Sequence, residues 1–309
     1  MRTFKETMLT PVLLIVVFGL VLCVNYLPDD ALGITENPYL AVIVVQLLTY
    51  GVPSLFYSRI RGKELTPHLR LRGFPPSSLL YLFHAAVFMI CGVLLISMIM
   101  YTVFPDAFEA SAVTEYAAFA MNERFFDGLY LVMAFAVLPA VTEEFLFRGI
   151  IAGEYESRGA GIAIVFSAIV FAMSHFSIVR FPVYFFSGIM LALVLYATRS
   201  LLAAMLIHIL NNTAVLLCEK YVLHIVDRQN VSLVLFVLIA GVIAVISGML
   251  MCWEAQGIYR SYAEENVESP YAAGSRSNIF GRIADVFFSP TFLVVVILFV
   301  VASMAEFTF

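Results

Sequence analysis

Long apolar blocks separated by short polar connections decide what this chain can fold into. A membrane span needs about 20 apolar residues, and stretches of roughly that length cover 8–27, 39–58, 78–104, 126–150, 159–179, 181–199, 201–223, 231–253 and 288–307. Charge is too scarce for a water-facing surface: 13% of the chain is charged and 62% is hydrophobic, where a soluble chain carries about a quarter charged residues. In lipid each segment must satisfy its own backbone polar groups, which apolar blocks of this length do as helices. The expected fold is therefore all-α, a polytopic transmembrane helical bundle of about eight or nine spans. Pro182 and the very short connections around 181–199 would also suit a re-entrant or tilted helix there.

The same arithmetic excludes other classes. A formal net charge of -5 and no Lys/Arg cluster paired with a nucleic-acid module argue against a nucleic-acid partner. The high apolar content excludes a disordered chain. Cys23, Cys91, Cys218 and Cys252 are scattered through apolar blocks without a CxxC pair and read as small membrane-buried hydrophobes. The first block follows Arg2 and Lys5 but runs a full span and shows no small-x-small cleavage site, so it is expected to stay as a transmembrane helix. No internal repeat points to an inverted-repeat transporter.

Orientation follows from the Lys/Arg asymmetry of short loops. Arg2 and Lys5, the connection with Arg59, Arg61, Lys63, Arg70 and Arg72, and the turn with Arg158 belong inside. The connections between them are acidic, with Asp29, Asp30 and Glu36, then Asp106, Glu109, Glu115, Glu123 and Asp127, and belong outside. Arg199, Arg260, Arg276 and Arg282 fall inside again if every block crosses. Two segments lie outside the spans: 105–125, with acids and large apolar residues at helical spacing, is expected to be an interfacial amphipathic helix, and 254–287 a hydrophilic loop. The chain divides accordingly into N-terminal helices with the interfacial helix (1–125), a core (126–224), and C-terminal helices with the loop (225–309).

An ionisable side chain inside a span costs on the order of 2.5–3.5 kcal/mol even on a permissive scale, so each needs a partner or a task. Few occur. Glu143, Glu144 and Arg148 lie in the fourth block, His175 in the fifth, and His208 with Asn211 and Asn212 in the seventh. Glu144 and Arg148 stand four apart with the acid first, the favourable helical ion-pair order. Glu143 points about 100° away and is the carboxylate left for chemistry as a general base. His208 and Asn212 are one turn apart and share a face. Gln46 and His84 are read as structural.

Such a set can hydrolyse a bond in two ways. Glu143 and one His could polarise a water while the other His and Asn212 donate to the developing oxyanion. Alternatively Glu143, His175 and His208 could hold zinc or another divalent metal, which would acidify its bound water. HExxH is absent, and the residues alone leave both open.

Glu143-Glu144-x-x-x-Arg148, Phe171-x-x-x-His175 and His208-x-x-x-Asn212 resemble, in order, the three signature motifs of the CPBP family, the CAAX-protease and bacteriocin-processing (Abi) intramembrane proteases. The resemblance covers about residues 126–224 and is closest to its type II CAAX prenyl endopeptidases. It implies an all-helical membrane core with a cavity, and hydrolysis of peptide bonds in membrane-associated, in some relatives prenylated, proteins or peptides. Glu143 and His175 would then activate water, His208 and Asn212 would stabilise the oxyanion, and Glu144 with Arg148 would support them. The family is often called metalloproteases, but this water mechanism requires no metal and is the version favoured here. The other reading is a non-catalytic membrane binding protein of the same family, for bacteriocin immunity or as a scaffold. The expected location is a bacterial plasma membrane, crossed several times. With straight helices His175 would lie towards the opposite face from Glu143 and His208. The fourth helix is therefore expected to continue to about Ser157, bringing Glu143 towards the midplane.

Overall fold

The computed structural model describes residues 2–25, 38–105, 125–227, 231–264 and 279–304, and among them every regular element is a helix. We label the helices α1 (Arg2–Asn25), α2 (Leu40–Glu64), α3 (Pro76–Val103), α4 (Gly128–Arg158), α5 (Ala160–Met173), α6 (Phe181–Thr198), α7 (Leu201–Asp227), α8 (Val231–Glu264), α9 (Ile279–Phe287) and α10 (Pro290–Ser303). Six are long and apolar enough to cross a membrane, seven if α9 and α10, bent by 55°, form one span. Two shorter apolar helices, Leu9–Val24 and Ala160–Met173, occupy the remaining blocks. The all-helical bundle is as expected, with a count somewhat lower than eight or nine.

Three boundaries differ from the sequence reading. The block 159–179 holds a helix that ends at Met173, well short of a full span. The apolar pattern continues past it, but Ser174 Oγ donates to the Phe171 carbonyl at 2.8 Å and Phe176 takes a left-handed φ of 50°, which turns the chain. α8 runs to Glu264, so the first part of the expected loop 254–287 prolongs a helix out of the apolar zone, and its last part is α9. The interfacial helix expected at 105–125 falls almost wholly outside the described residues.

α4 is continuous to Arg158, as the geometry required, and Glu143 sits at its middle. It carries two π-helical stretches, Met133–Val137 and Phe145–Ile151, and α2 has a third at Leu47–Gly51. The wider turn of a π stretch rotates the residues that follow it, and such stretches are frequent at functional sites. Here one directly follows Gln46 and another directly follows Glu144.

Helices approach closely where side chains are small. A Cβ on Gly188 of α6 would lie 2.8 Å from Ala168 Cα, so α5 and α6 touch nearly backbone to backbone there. α8 buries Ala240, Ala244 and Ser247, while Val231, Leu235, Ile239 and Val242 are exposed. Such a face is expected of a helix that meets lipid on most sides.

The ends rich in Lys/Arg come together in one layer. Glu154 of α4 takes Arg61 Nε at 2.7 Å and Nη2 at 3.0 Å, with the Tyr57 hydroxyl donating to the same carboxylate at 3.2 Å. Glu156 meets Arg70 at 2.6 Å and His68 Nδ1 at 3.3 Å. The Leu201 amide donates to the Arg70 carbonyl at 3.0 Å and Arg72 Nε to the Arg199 carbonyl at 2.7 Å, which ties the connection after α2 to the start of α7. α9 joins through Arg158–Asp285 at 2.6 Å. We call this the basic layer.

Candidate active site

Glu143, His175, His208 and Asn212 line one cavity of about 310 Å³. They come from α4, the turn after α5, and α7, three elements the sequence motifs had placed in order. The structure brings all four together, and the motif residues Glu144 and Arg148 lie fully buried beside them.

The two adjacent glutamates have different surroundings. Arg148 Nη1 donates to Glu144 Oε1 at 2.8 Å, and His208 Nδ1 lies 2.9 Å from the same oxygen. A carboxylate only accepts, so the His208 proton on Nδ1 is directed at Glu144. Arg148 also donates from Nη2 to the Gly188 carbonyl at 3.1 Å, and its guanidinium sits 4.5 Å over the Phe171 ring. Glu144 is thereby fixed by a buried cation and an imidazole.

Glu143 faces no such cation at contact distance. Gln46 Nε2, from α2, donates to its Oε1 at 3.0 Å and to Thr142 Oγ1 at 3.0 Å. The Thr142 hydroxyl donates in turn to the Leu138 carbonyl at 3.0 Å, leaving its lone pairs for Gln46. His208 Nε2 stands 3.9 Å from Glu143 Oε2, too far for a direct hydrogen bond. One carboxylate oxygen is thus held by an amide while the other faces the imidazole and the cavity.

His175 has left the helix. Its Nδ1 is 2.9 Å from the Phe171 carbonyl, which can only accept, so Nδ1 carries the proton and Nε2 keeps the lone pair. The ring stacks on Tyr184 of α6, with centroids 3.6 Å apart and planes at 16°. Phe171 stands between the two imidazoles, edge-on to His175 at 5.0 Å and to His208 at 5.8 Å.

Asn212 lies one turn beyond His208, lines the cavity and is partly exposed. Three residues carry more than the sequence reading gave them. Gln46, read there as structural, reaches the candidate base itself. Tyr184 orients His175, and the buried Asn211 also lines the cavity. The signal for Gln46 was its polarity inside an apolar span. Asn211 adjoins the motif residue Asn212, and no pattern in the sequence distinguishes Tyr184 from other aromatics.

For a metal, Glu143, His175 and His208 are the donors of the right type. Both imidazoles hold Nδ1–H on an oxygen and leave Nε2 for a ligand, but among the described residues no three His, Cys, Asp or Glu side chains converge so as to hold an ion. The arrangement as it stands does not fit a three-ligand metal centre, and no step below passes through one.

Residues 125–214 match a family model described as type II CAAX prenyl endopeptidase Rce1-like. The match spans all three motifs and coincides with most of the core expected at 126–224. Comparisons with curated proteins and with solved structures found no match. The family match points to a protease, and with the apolar helices it identifies an integral membrane protein.

Proposed function

We propose that the protein is an intramembrane endopeptidase in which Glu143 and His175 activate a water molecule. The observation that carries this is the convergence of Glu143, His175, His208 and Asn212 on one cavity. Glu143 has an oxygen turned to the cavity and is not neutralised by a directly bonded cation, so it can accept a proton. His175 offers an unprotonated Nε2 to orient the same water.

Hydrolysis then proceeds in balanced steps. Glu143 takes a proton from water as the oxygen adds to the carbonyl carbon of the peptide bond. The resulting oxyanion accepts a hydrogen bond from Asn212 and lies beside His208, which would donate from Nε2 when that nitrogen carries a proton, with Nδ1–H kept on Glu144. Glu143 passes the proton to the leaving nitrogen as the C–N bond breaks, giving a carboxylic acid and an amine. Glu144 and Arg148 fix the His208 ring, and Gln46 fixes Glu143, so all three act by positioning.

The substrates are membrane-associated proteins or peptides. The test is cleavage of membrane-anchored peptides, with and without a prenyl group, by detergent-purified wild type and Glu143→Gln. The wild type is expected to cleave and the Gln variant not to; cleavage surviving in the variant removes Glu143 as base. Metal analysis of the same sample, with activity measured after chelation, tests the metal-free mechanism, which predicts no loss.

A further inference from the structure

Arginines that this protein buries are paired with carboxylates, and Arg199 departs from that rule. Arg61, Arg70, Arg148 and Arg158, whose side chains are 12% exposed or less, each meet a Glu or Asp at 2.6–2.8 Å. Arg199, in the turn between α6 and α7, is 7% exposed, yet among the described residues it forms no ion pair and its buried Nε has no acceptor. Its guanidinium lies over the Tyr262 ring of α8, with Cζ 4.0 Å from the centroid. The ring face attracts the charge but offers no lone pair to the five N–H donors of a guanidinium. A charge this deep is costly unless it is paired and hydrogen-bonded.

The surroundings add a second cation and a membrane level. Arg72, which is exposed, donates from Nε to the carbonyl of Arg199 at 2.7 Å, and Ser200 Oγ donates to the Arg72 carbonyl. α6 ends at Thr198 and α7 begins at Leu201, so Arg199 stands within two residues of two apolar spans, at the edge of the hydrocarbon. The Tyr262 hydroxyl donates to the Ala197 carbonyl at 3.1 Å, which holds α8 against the same turn. On its way to that contact α8 exposes Trp253 and Tyr259, residue types that settle at the level of the lipid headgroups. Arg199 also takes a left-handed φ of 53°, where glycine or asparagine is usual after a helix. The backbone there does not favour an arginine.

We infer that Arg199 and Arg72 form an anion site for a phosphate group at the membrane surface. Arginine binds phosphate through paired, charge-assisted hydrogen bonds, and the anion supplies the acceptors that Arg199 lacks. The phosphate is that of an anionic phospholipid headgroup or free inorganic phosphate, which share this chemistry. Neither arginine lines the cavity, and the inference does not depend on the protease reading.

Thermal unfolding of the full-length protein in detergent tests it, with phosphatidylglycerol, phosphatidylcholine or inorganic phosphate added in turn. A rise in unfolding temperature with phosphatidylglycerol and none with inorganic phosphate supports the site with a lipid headgroup as its ligand. A rise with inorganic phosphate supports it with the free ion. No rise with either, or an equal rise with phosphatidylcholine, overturns the inference. Arg199→Gln and Arg72→Gln should each weaken the midpoint of the response about tenfold or more, since each removes hydrogen bonds to a charged group. Arg72 is exposed, so its variant decides the matter even where Arg199→Gln does not fold. Arg260→Gln is the control, exposed on α8 about half a turn round the helix from Tyr262. An equal weakening in Arg260→Gln reduces the effect to general surface charge and overturns the site.

Discussion

The basic layer and the cavity both bury glutamates, and they treat them in opposite ways. Glu154 and Glu156 in the layer each meet an arginine directly, at 2.7 Å and 2.6 Å. In the cavity, Glu144 has the same arrangement with Arg148, but its neighbour Glu143 is given a neutral amide and an imidazole at 3.9 Å. A carboxylate clamped by arginine has its lone pairs committed to that cation and contributes to structure. One held by an amide can take up and release a proton, which is the chemistry a general base needs.

The sharpest way to break the comparison is to make the same substitution in both regions. Glu143→Gln should lower kcat by about 10²–10⁴-fold, the usual contribution of a general base, with little change in thermal unfolding. Glu154→Gln should do the reverse, costing about 1–3 kcal/mol of stability as the Arg61 guanidinium loses its charged partner, with cleavage per folded molecule near wild type. Equal effects on activity would erase the distinction.

Arg148→Met tests whether Glu144 belongs with the layer or with the site. It leaves a fully buried carboxylate without its cation, which typically costs about 3–5 kcal/mol. Unfolding in detergent should shift accordingly, and Glu144→Gln added to Arg148→Met should recover most of the loss. Recovery of folding without recovery of cleavage is expected, since His208 then lacks its anchor.

Gln46→Leu should be milder. It removes a hydrogen bond to a carboxylate from a side chain of similar size, worth about 1.5–3 kcal/mol when the acceptor is charged. The expectation is a fall in kcat of about tenfold or more at unchanged KM, with partial rescue by Gln46→Asn only if the shorter amide still reaches. A change in KM alone would remove Gln46 as a positioning residue.

The smallest effect belongs to His68, which lies outside the spans. Its hydrogen bond to Glu156 raises its pKa above the ordinary histidine value, against the opposing effect of partial burial. The folded value is the higher one, so the stabilisation is fully present below about pH 6.5 and fades as pH rises through the folded value. The difference in unfolding temperature between wild type and His68→Gln should therefore shrink from acidic to alkaline pH. The side chain is 45% exposed, so the contribution should stay under about 1 kcal/mol.

Much of this was legible in the sequence, for reasons that can be named. Hydropathy marks the apolar blocks because lipid admits little else, and Glu143, Glu144, Arg148, His175 and His208 stand out because each is costly there. The continuation of α4 to Arg158 was legible from the need to bring Glu143 to His175. The early end of α5 was not, because Phe176, Ile178, Val179 and Phe181 prolong the apolar pattern while two side-chain bonds to the Phe171 carbonyl stop the helix. The prolongation of α8 was hidden by Glu254, Gln256, Arg260 and Glu264, which are polar but compatible with a helix. The Gln46 contact joins residues 97 apart in sequence, beyond the reach of any local spacing.

At about 1.5 Å per residue, α5 with its 14 residues extends only some two-thirds of the way through a hydrocarbon layer about 30 Å thick. A helix this short and facing lipid would force the bilayer to thin around it. α5 packs along α6 and α4, and the depth it leaves is taken up by the turn that carries His175. Where the helix stops short of the membrane thickness, the chain leaves helical geometry, and His175 is set at the cavity by a turn rather than by a helix face.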